Sequence, residues 1–262
     1  MPESDFKEGH VEADGFRVRY LEAGQGDSVV ILDSNAWGWS PLNDALAKTY
    51  RVVVFEVPGM GSSSPNTTSG SVNDLAGTMV QAAASVVSGK FTLIGTSFAA
   101  NVALRQTLLA PESVEALVLI SPTAIRPAAS APTQTLDEMK ARLSAHPENI
   151  PSLPFGLIDN LTQEQALAAR LGGTVNDSEV ESRLGDVQCA TLSLFGLADK
   201  TVESQATAIY REKIPNSNVS IVYDAGHLIA LDRPEALIDA VTDYVERRET
   251  FIVGRQRQII NP

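Results

Sequence analysis

Phe91-Thr-Leu-Ile-Gly-Thr-Ser97-Phe-Ala-Ala-Asn-Val-Ala-Leu-Arg105 is the stretch whose reading decides the fold. It opens as a short apolar run of strand character, passes through Gly95-Thr96-Ser97-Phe98-Ala99, and continues with helical spacing (Val102, Ala103, Leu104, Leu108, Leu109) up to Pro111. Strand, sharp turn and helix follow one another with a serine at the apex. Such a turn strains the backbone at its tip and presses strand against helix, so the positions two before and two after the serine have to be small. Gly95 and Ala99 meet that requirement. The Ser97 hydroxyl then stands free above the sheet edge, beside the next backbone N–H and the positive end of the helix, where an oxyanion would be met. This is the pattern of a nucleophile elbow, and the bland alternative is a plain strand-to-helix connection. What decides between them is whether the chain also supplies a base and an acid in the right order.

The chain of 262 residues is long enough for one large core with an insertion. Its net charge of -12 works against nucleic acid and anionic membrane surfaces, which would repel it, and leaves small molecules as the expected partners. A single cysteine, Cys189, rules out an internal disulfide and a thiolate metal cluster. Met1 to His10 forms a polar leader without the apolar core of a signal peptide, and no later stretch is apolar enough to span a membrane. A cytoplasmic location, with neither cofactor nor metal, is the expectation.

Upstream of the elbow, Phe16 to Leu21 alternates as an antiparallel edge strand. Ser28 to Asp33 and Arg51 to Val57 are continuous apolar runs of doubly buried strands, separated by a helix around Pro41 to Lys48. Strand, helix, strand implies a parallel sheet. The Pro58-Gly-Met-Gly61 turn and a Ser- and Thr-rich loop follow, then a helix from Val72 to Val87. Downstream of the elbow, Val114 to Ile120 is another buried strand. From there the strand pattern stops until Ala190 to Phe195 and Val219 to Tyr223, each followed by a helix (Glu203 to Lys213 and Pro234 to Arg247). The interval contains helical segments at Leu136 to Ala145, Thr162 to Leu171 and Ser178 to Leu184, broken by prolines and Gly172-Gly173. The expected layout is a core in two parts, 1–122 and 187–250, interrupted by a helical lid at 123–186 and followed by a tail at 251–262.

Histidine is scarce. His10 lies in the leader and His146 precedes Pro147 in the lid, positions that suit solvated or capping roles. His227 follows Tyr223-Asp-Ala-Gly226 directly after a buried strand, which places it in a loop at the carboxyl edge of the sheet, where such sheets bind ligands. The third member should be a carboxylate on another strand-end loop, to orient the imidazole and stabilise its charged form. Asp199, in Phe195-Gly-Leu-Ala-Asp199-Lys-Thr, fits; its alternative role is to cap the next helix. Asp224 shares the loop of His227, and Asp232 reads as the cap of the following helix. The position after Ile120 reads Ser121-Pro122-Thr123, without a carboxylate.

The chain order Ser97, Asp199, His227 on alternating strands and helices, with a helical insertion before the acid, resembles the α/β-hydrolase superfold from about Phe16 to Arg248. Glu56-Val-Pro-Gly-Met-Gly61 is similar to that fold's Asp-x-Pro-Gly-x-Gly loop. The resemblance implies a mostly parallel, doubly wound α/β sheet with a helical cap, and acyl cleavage through a serine ester. A serine at the elbow separates the chain from the haloalkane dehalogenase and epoxide hydrolase branches, which use Asp there.

One position departs from the pattern. Where these enzymes carry His-Gly after the strand Val29 to Leu32, this chain has Asp33-Ser34, followed by Asn35-Ala-Trp-Gly-Trp39. The oxyanion hole would form from the N–H of Asn35, or of Ala36 in a shifted register, with that of Phe98. A carboxylate at Asp33 would oppose a developing oxyanion unless it points away or is paired, and losing one donor costs about 10²- to 10³-fold in rate. Trp37 and Trp39 suit either the substrate pocket or packing under the lid. The reading is a serine hydrolase of a small, fairly apolar ester or related carbonyl compound. One alternative is a carbon–carbon bond hydrolase or lyase using the same triad; another, of a different class, is a non-catalytic ligand-binding module on a hydrolase scaffold.

Overall fold

The computed structural model describes residues 5–33, 39–61, 63, 65–126, 135–150, 157–173 and 176–250. Eight strands form one sheet: β1 (Lys7–Ala13), β2 (Phe16–Ala23), β3 (Ser28–Asp33), β4 (Arg51–Glu56), β5 (Phe91–Thr96), β6 (Val114–Ile120), β7 (Ala190–Gly196) and β8 (Ser217–Val222). Their spatial order is β1-β2-β4-β3-β5-β6-β7-β8. β1, β2 and β4 pair antiparallel, and every pairing from β4 through β3 to β8 is parallel. One correction concerns the edge. The polar leader was expected to precede the first strand, yet Lys7–Ala13 pairs with Phe16–Ala23 through a two-residue turn in which Asp14 and Gly15 both have positive φ. His10 therefore sits within this outer strand, 3.8 Å from Glu8. Its exposed, alternating pattern is that of an edge strand, charged enough to discourage pairing with another chain.

Side chains alternate between two cores. Val30, Leu32, Val53, Phe55, Leu93, Leu117 and Leu119 meet α2 (Val72–Val86), α3 (Phe98–Leu109) and α7 (Ser204–Lys213) on one face. Val29, Ile31, Val52, Val54, Ile94, Val118 and Ile120 meet α1 (Pro41–Leu46) and α9 (Pro234–Arg247) on the other. Burial of both sets explains why the parallel strands read as unbroken apolar runs. Each fully buried Val, Leu or Ile contributes roughly 1.5–3 kcal/mol.

From β3 the chain moves outward to β4, then α2 carries it back past β3 to β5. The strand order reverses between β3 and β5, and the crevice at their carboxyl ends is where ligands bind in such sheets. Ser97 lies immediately beyond β5.

Between β6 and β7 the chain inserts α4 (Leu136–Leu143), α5 (Leu157–Arg170) and α6 (Ser178–Arg183). α5 begins five residues before the expected start, and a short helix absent from the sequence reading, α8 (Ile229–Asp232), precedes α9. Thr135 and Glu138 form a reciprocal capping box that starts α4. The two ends of the insertion join where Asp177 N–H donates to Ala124 O (2.9 Å), and Asp177 also pairs with buried Arg105 of α3. At the end of α5, Arg170 donates through Nη1 to Ser69 O and through Nη2 to Asn66 O, both at 2.6 Å. The tail beyond residue 250 lies outside the described residues.

Gly95 is a position where no side chain fits: a Cβ there would lie 2.6 Å from Ala99 O and 2.7 Å from Ala100 Cα. Gly95→Ala is expected to lower stability by about 1–3 kcal/mol, measured by urea denaturation, because strand and helix cannot separate without disturbing the turn between them.

Candidate active site

Ser97 carries the strain expected of an elbow tip, with φ 55° and ψ -119°. Its own N–H is bonded to Ile120 O (2.9 Å), which fixes the turn against β6. Although Ser97 occupies the cap position of α3, its side chain makes no capping bond. Instead Oγ lies 2.9 Å from His227 Nε2. His227 Nδ1 lies 2.9 Å from Asp199 Oδ2. Three side chains from loops after β5, β7 and β8 thus form one continuous chain of contacts. The side chains of His227 and Asp199 are only 2% and 1% exposed, so water does not compete for these bonds.

The other oxygen of Asp199, Oδ1, accepts from Thr201 N–H (2.7 Å) and Val202 N–H (3.0 Å). The capping alternative is therefore not exclusive: one oxygen holds the backbone of the loop, the other holds the imidazole. Glu203, not Asp199, takes the cap position of α7. The loops that carry Asp199 and His227 touch directly. A Cβ on Gly196 would fall 2.0 Å from Gly226 O and 2.4 Å from Ala225 O. Ser121 holds the base loop from a third side, its Oγ donating to His227 O at 2.8 Å. Neither contact was evident from sequence, although Gly226 immediately before His227 was a usable signal for a tight approach.

The N–H of Phe98 opens α3, so it has no acceptor within the helix. The phenyl ring lies against the insertion, where a Cβ on Gly173 would come within 2.7 Å of Phe98 Cε2. Asn35 and Trp37 lie outside the described residues. Asp33 pairs with Glu56 across β3 and β4 and follows the parity of Val29 and Ile31, so its side chain belongs to the α1/α9 face. Trp39 is on the same face: its ring meets Phe6 edge-on at 4.7 Å and its Nε1 donates to Asp44 Oδ1 at 3.0 Å. Both line a cavity of about 70 Å³ with Ile94, Thr96, Ile120 and Leu228, the last three adjoining Ser97, Ser121 and His227 in sequence.

Burial pushes the Cys189 thiol up to about 11, which leaves it a poor nucleophile at neutral pH. Among the described residues, no group of three or more His, Cys, Asp or Glu is arranged to hold a metal ion. No described helix is long and apolar enough to cross a membrane.

Comparison with known proteins gives a consistent picture. A family model described as "Alpha/beta hydrolase family" matches residues 24–240. A 2-hydroxy-6-oxononadienedioate/2-hydroxy-6-oxononatrienedioate hydrolase from Cupriavidus pinatubonensis is 24% identical, over 91% of this chain and 93% of the relative. Among solved structures, a serine hydrolase involved in carbazole degradation superposes with a TM-score of 0.75 at 21% identity, covering 92% of this chain and 99% of that one. A thermophilic esterase from Thermogutta terrifontis gives a TM-score of 0.76 at 21% identity, covering 92% and 98%.

His146, read from sequence as a solvated or capping residue, caps no helix with its side chain but pairs through Nε2 with Asp224 at 3.0 Å. The hydrogen bond to Asp224 raises the imidazole above its ordinary 6.5, with desolvation opposing and Asp224, Asp232 and Glu148 adding charge attraction. A raised folded-state value means that the contact stabilises fully below the unfolded value and weakens as pH rises through the folded one. The melting temperature of wild type over His146→Gln should therefore exceed the variant's by more at about pH 5.5 than at about pH 8.5, as followed by thermal denaturation.

Proposed function

The chain belongs to the alpha/beta hydrolase family and is a hydrolase, and from that premise we propose that it cleaves a small, fairly apolar ester or related carbonyl compound through an acyl intermediate on Ser97. The observation that carries this reading is the pair of 2.9 Å contacts that set His227 between the Ser97 hydroxyl and the Asp199 carboxylate. Membership of a hydrolase family weighs against the non-catalytic binding module.

In the proposed reaction, Ser97 Oγ attacks the carbonyl carbon as His227 Nε2 takes its proton. The positive charge that forms on the imidazole is stabilised by Asp199, whose position is fixed by the N–H groups of Thr201 and Val202. Negative charge moves to the carbonyl oxygen, which is met by the N–H of Phe98 and by a second donor from the loop after β3, assigned to Asn35. Collapse breaks the bond to the leaving group, which departs with the proton returned by His227. Water, deprotonated by the same imidazole, then attacks the acyl carbon and releases the acid and free Ser97. Asp33 lies on the α1/α9 face, where it lines the same cavity as Trp39 and Thr96. The cavity of about 70 Å³ lined by Asp33, Trp39, Ile94, Thr96, Ile120 and Leu228 has room for only a small group of a substrate.

A second reading is favoured by one observation, the name of the relative from Cupriavidus pinatubonensis, which specifies an oxo-dienedioate. Under it the same side chains catalyse hydrolysis of a carbon–carbon bond next to a ketone, with carbon as the leaving group and His227 chiefly moving protons.

The two readings share one test and then part. A fluorophosphonate probe should label wild type on Ser97 and leave Ser97→Ala unlabelled, as read by mass spectrometry of the intact and digested protein. Ser97→Ala should lose about 10³-fold or more in kcat on the best substrate of a panel of short-chain esters and 2-hydroxy-6-oxo-dienoates. Turnover of the dienoates with esters untouched assigns the carbon–carbon chemistry. A folded wild type whose Ser97 remains unlabelled, or a Ser97→Ala variant with undiminished turnover, overturns both.

A further inference from the structure

We infer that Asp232 is a positioning residue for His227, and that residues 143–146 of the helical insertion belong to the same support. The inference rests on the serine-hydrolase reading above. From sequence, Asp232 reads as the cap of α9. The structure corrects this: Arg233 takes that position, without a side-chain capping bond, and Asp232 is the last residue of α8.

The Asp232 carboxylate turns back toward the base loop. Its Oδ2 accepts from Gly226 N–H at 2.7 Å and from Ala145 N–H at 2.9 Å, and its Oδ1 accepts from the Ser144 hydroxyl. Gly226 immediately precedes His227. On the other side of the histidine, Leu228 N–H donates directly to Leu143 O at 2.9 Å. Both backbone neighbours of the imidazole are thus tied to one short stretch of the insertion, one through a carboxylate and one without an intermediary. Nothing separates the two segments, because a Cβ on Gly226 would lie 2.9 Å from Ala145 N and from Leu143 O. Leu143, Ile150 and Leu228 close an apolar cluster at the same junction. The acid loop is joined to it as well, since Lys200, next to Asp199, donates through Nζ to Ala141 O at 3.0 Å.

A general base works only when held in register with the hydroxyl it deprotonates, and a displacement of about 1 Å costs roughly 10²-fold in rate. The base loop cannot keep its shape alone: Gly226 N–H would have no acceptor without Asp232. Asp232 has no contact with the reacting hydroxyl and acts through Gly226, which makes it a positioning group and not a catalytic one. An asparagine can preserve the arrangement. Its carboxamide oxygen can take both N–H donors, and its amino group can donate to the Ser144 hydroxyl. Alanine can do neither.

The test is steady-state kinetics of wild type, Ser97→Ala, Asp232→Ala, Asp232→Asn and Gly226→Ala on the best substrate of the panel, with folding checked by circular dichroism and cooperative melting. Asp232→Ala should lose about 10- to 100-fold in kcat with KM within about threefold of wild type, and Asp232→Asn should recover most of the loss. Gly226→Ala, which crowds the junction without touching the carboxylate, should show the same split. A folded Asp232→Ala with wild-type kcat overturns the inference, as does an asparagine variant no better than alanine, or a loss carried by KM. Should Asp232→Ala fail to fold, Gly226→Ala decides, and unchanged kcat there counts against the inference. If Ser97→Ala turns over as fast as wild type, the serine reading itself has failed; if Ser97→Ala is inactive while Asp232→Ala is unimpaired, only the role of Asp232 has.

Discussion

An imidazole shut away from water has two ring nitrogens to satisfy, and at His227 a hydroxyl takes one and a carboxylate the other. A buried polar group left without a partner costs about 1–3 kcal/mol, so this arrangement stabilises the fold. The requirement is demanding because its three members lie on loops after β5, β7 and β8, with β6 between the first two. Parallel pairing from β3 to β8 brings those strand ends to one edge. Gly95 then lets the elbow helix close on its strand, and Gly196 lets the acid and base loops meet backbone to backbone.

Much of this was legible in the residues themselves. Unbroken apolar runs from Ser28, Arg51, Phe91, Val114 and Ala190 could only be strands covered on both sides, and they stand where the sheet has them. The small residues flanking Ser97 announced a turn in which helix and strand touch. The edge was less legible, because Lys7–Ala13 mixes charge with few apolar positions and needs only one partner, so its strand character comes from the pairing with β2 and not from its own pattern. The short helix at Ile229–Asp232 carries too few residues to show a period.

The support around His227 illustrates a different limit. Asp232 before Arg233-Pro234 looks like a helix cap because local spacing is all that a linear reading can weigh. Its partners, Ala145 and Ser144, lie in a segment nearly ninety positions away in the chain. Ser121 was noticed only for not being a carboxylate, yet its hydroxyl holds the backbone of the histidine. Contacts of this kind depend on how an insertion settles on the sheet, which no periodicity encodes.

The grip of Arg170 on the carbonyls of Asn66 and Ser69 has a consequence for protein engineering. Those carbonyls belong to the loop after β4, far from the insertion in the chain but seated under the end of α5. A chimera that exchanges the inserted helices with those of a homologue would leave the incoming helix without its dock, or the resident dock without its arginine. Successful grafts should therefore transplant residues 58–70 together with the insertion, treating two separated segments of the chain as one exchangeable module.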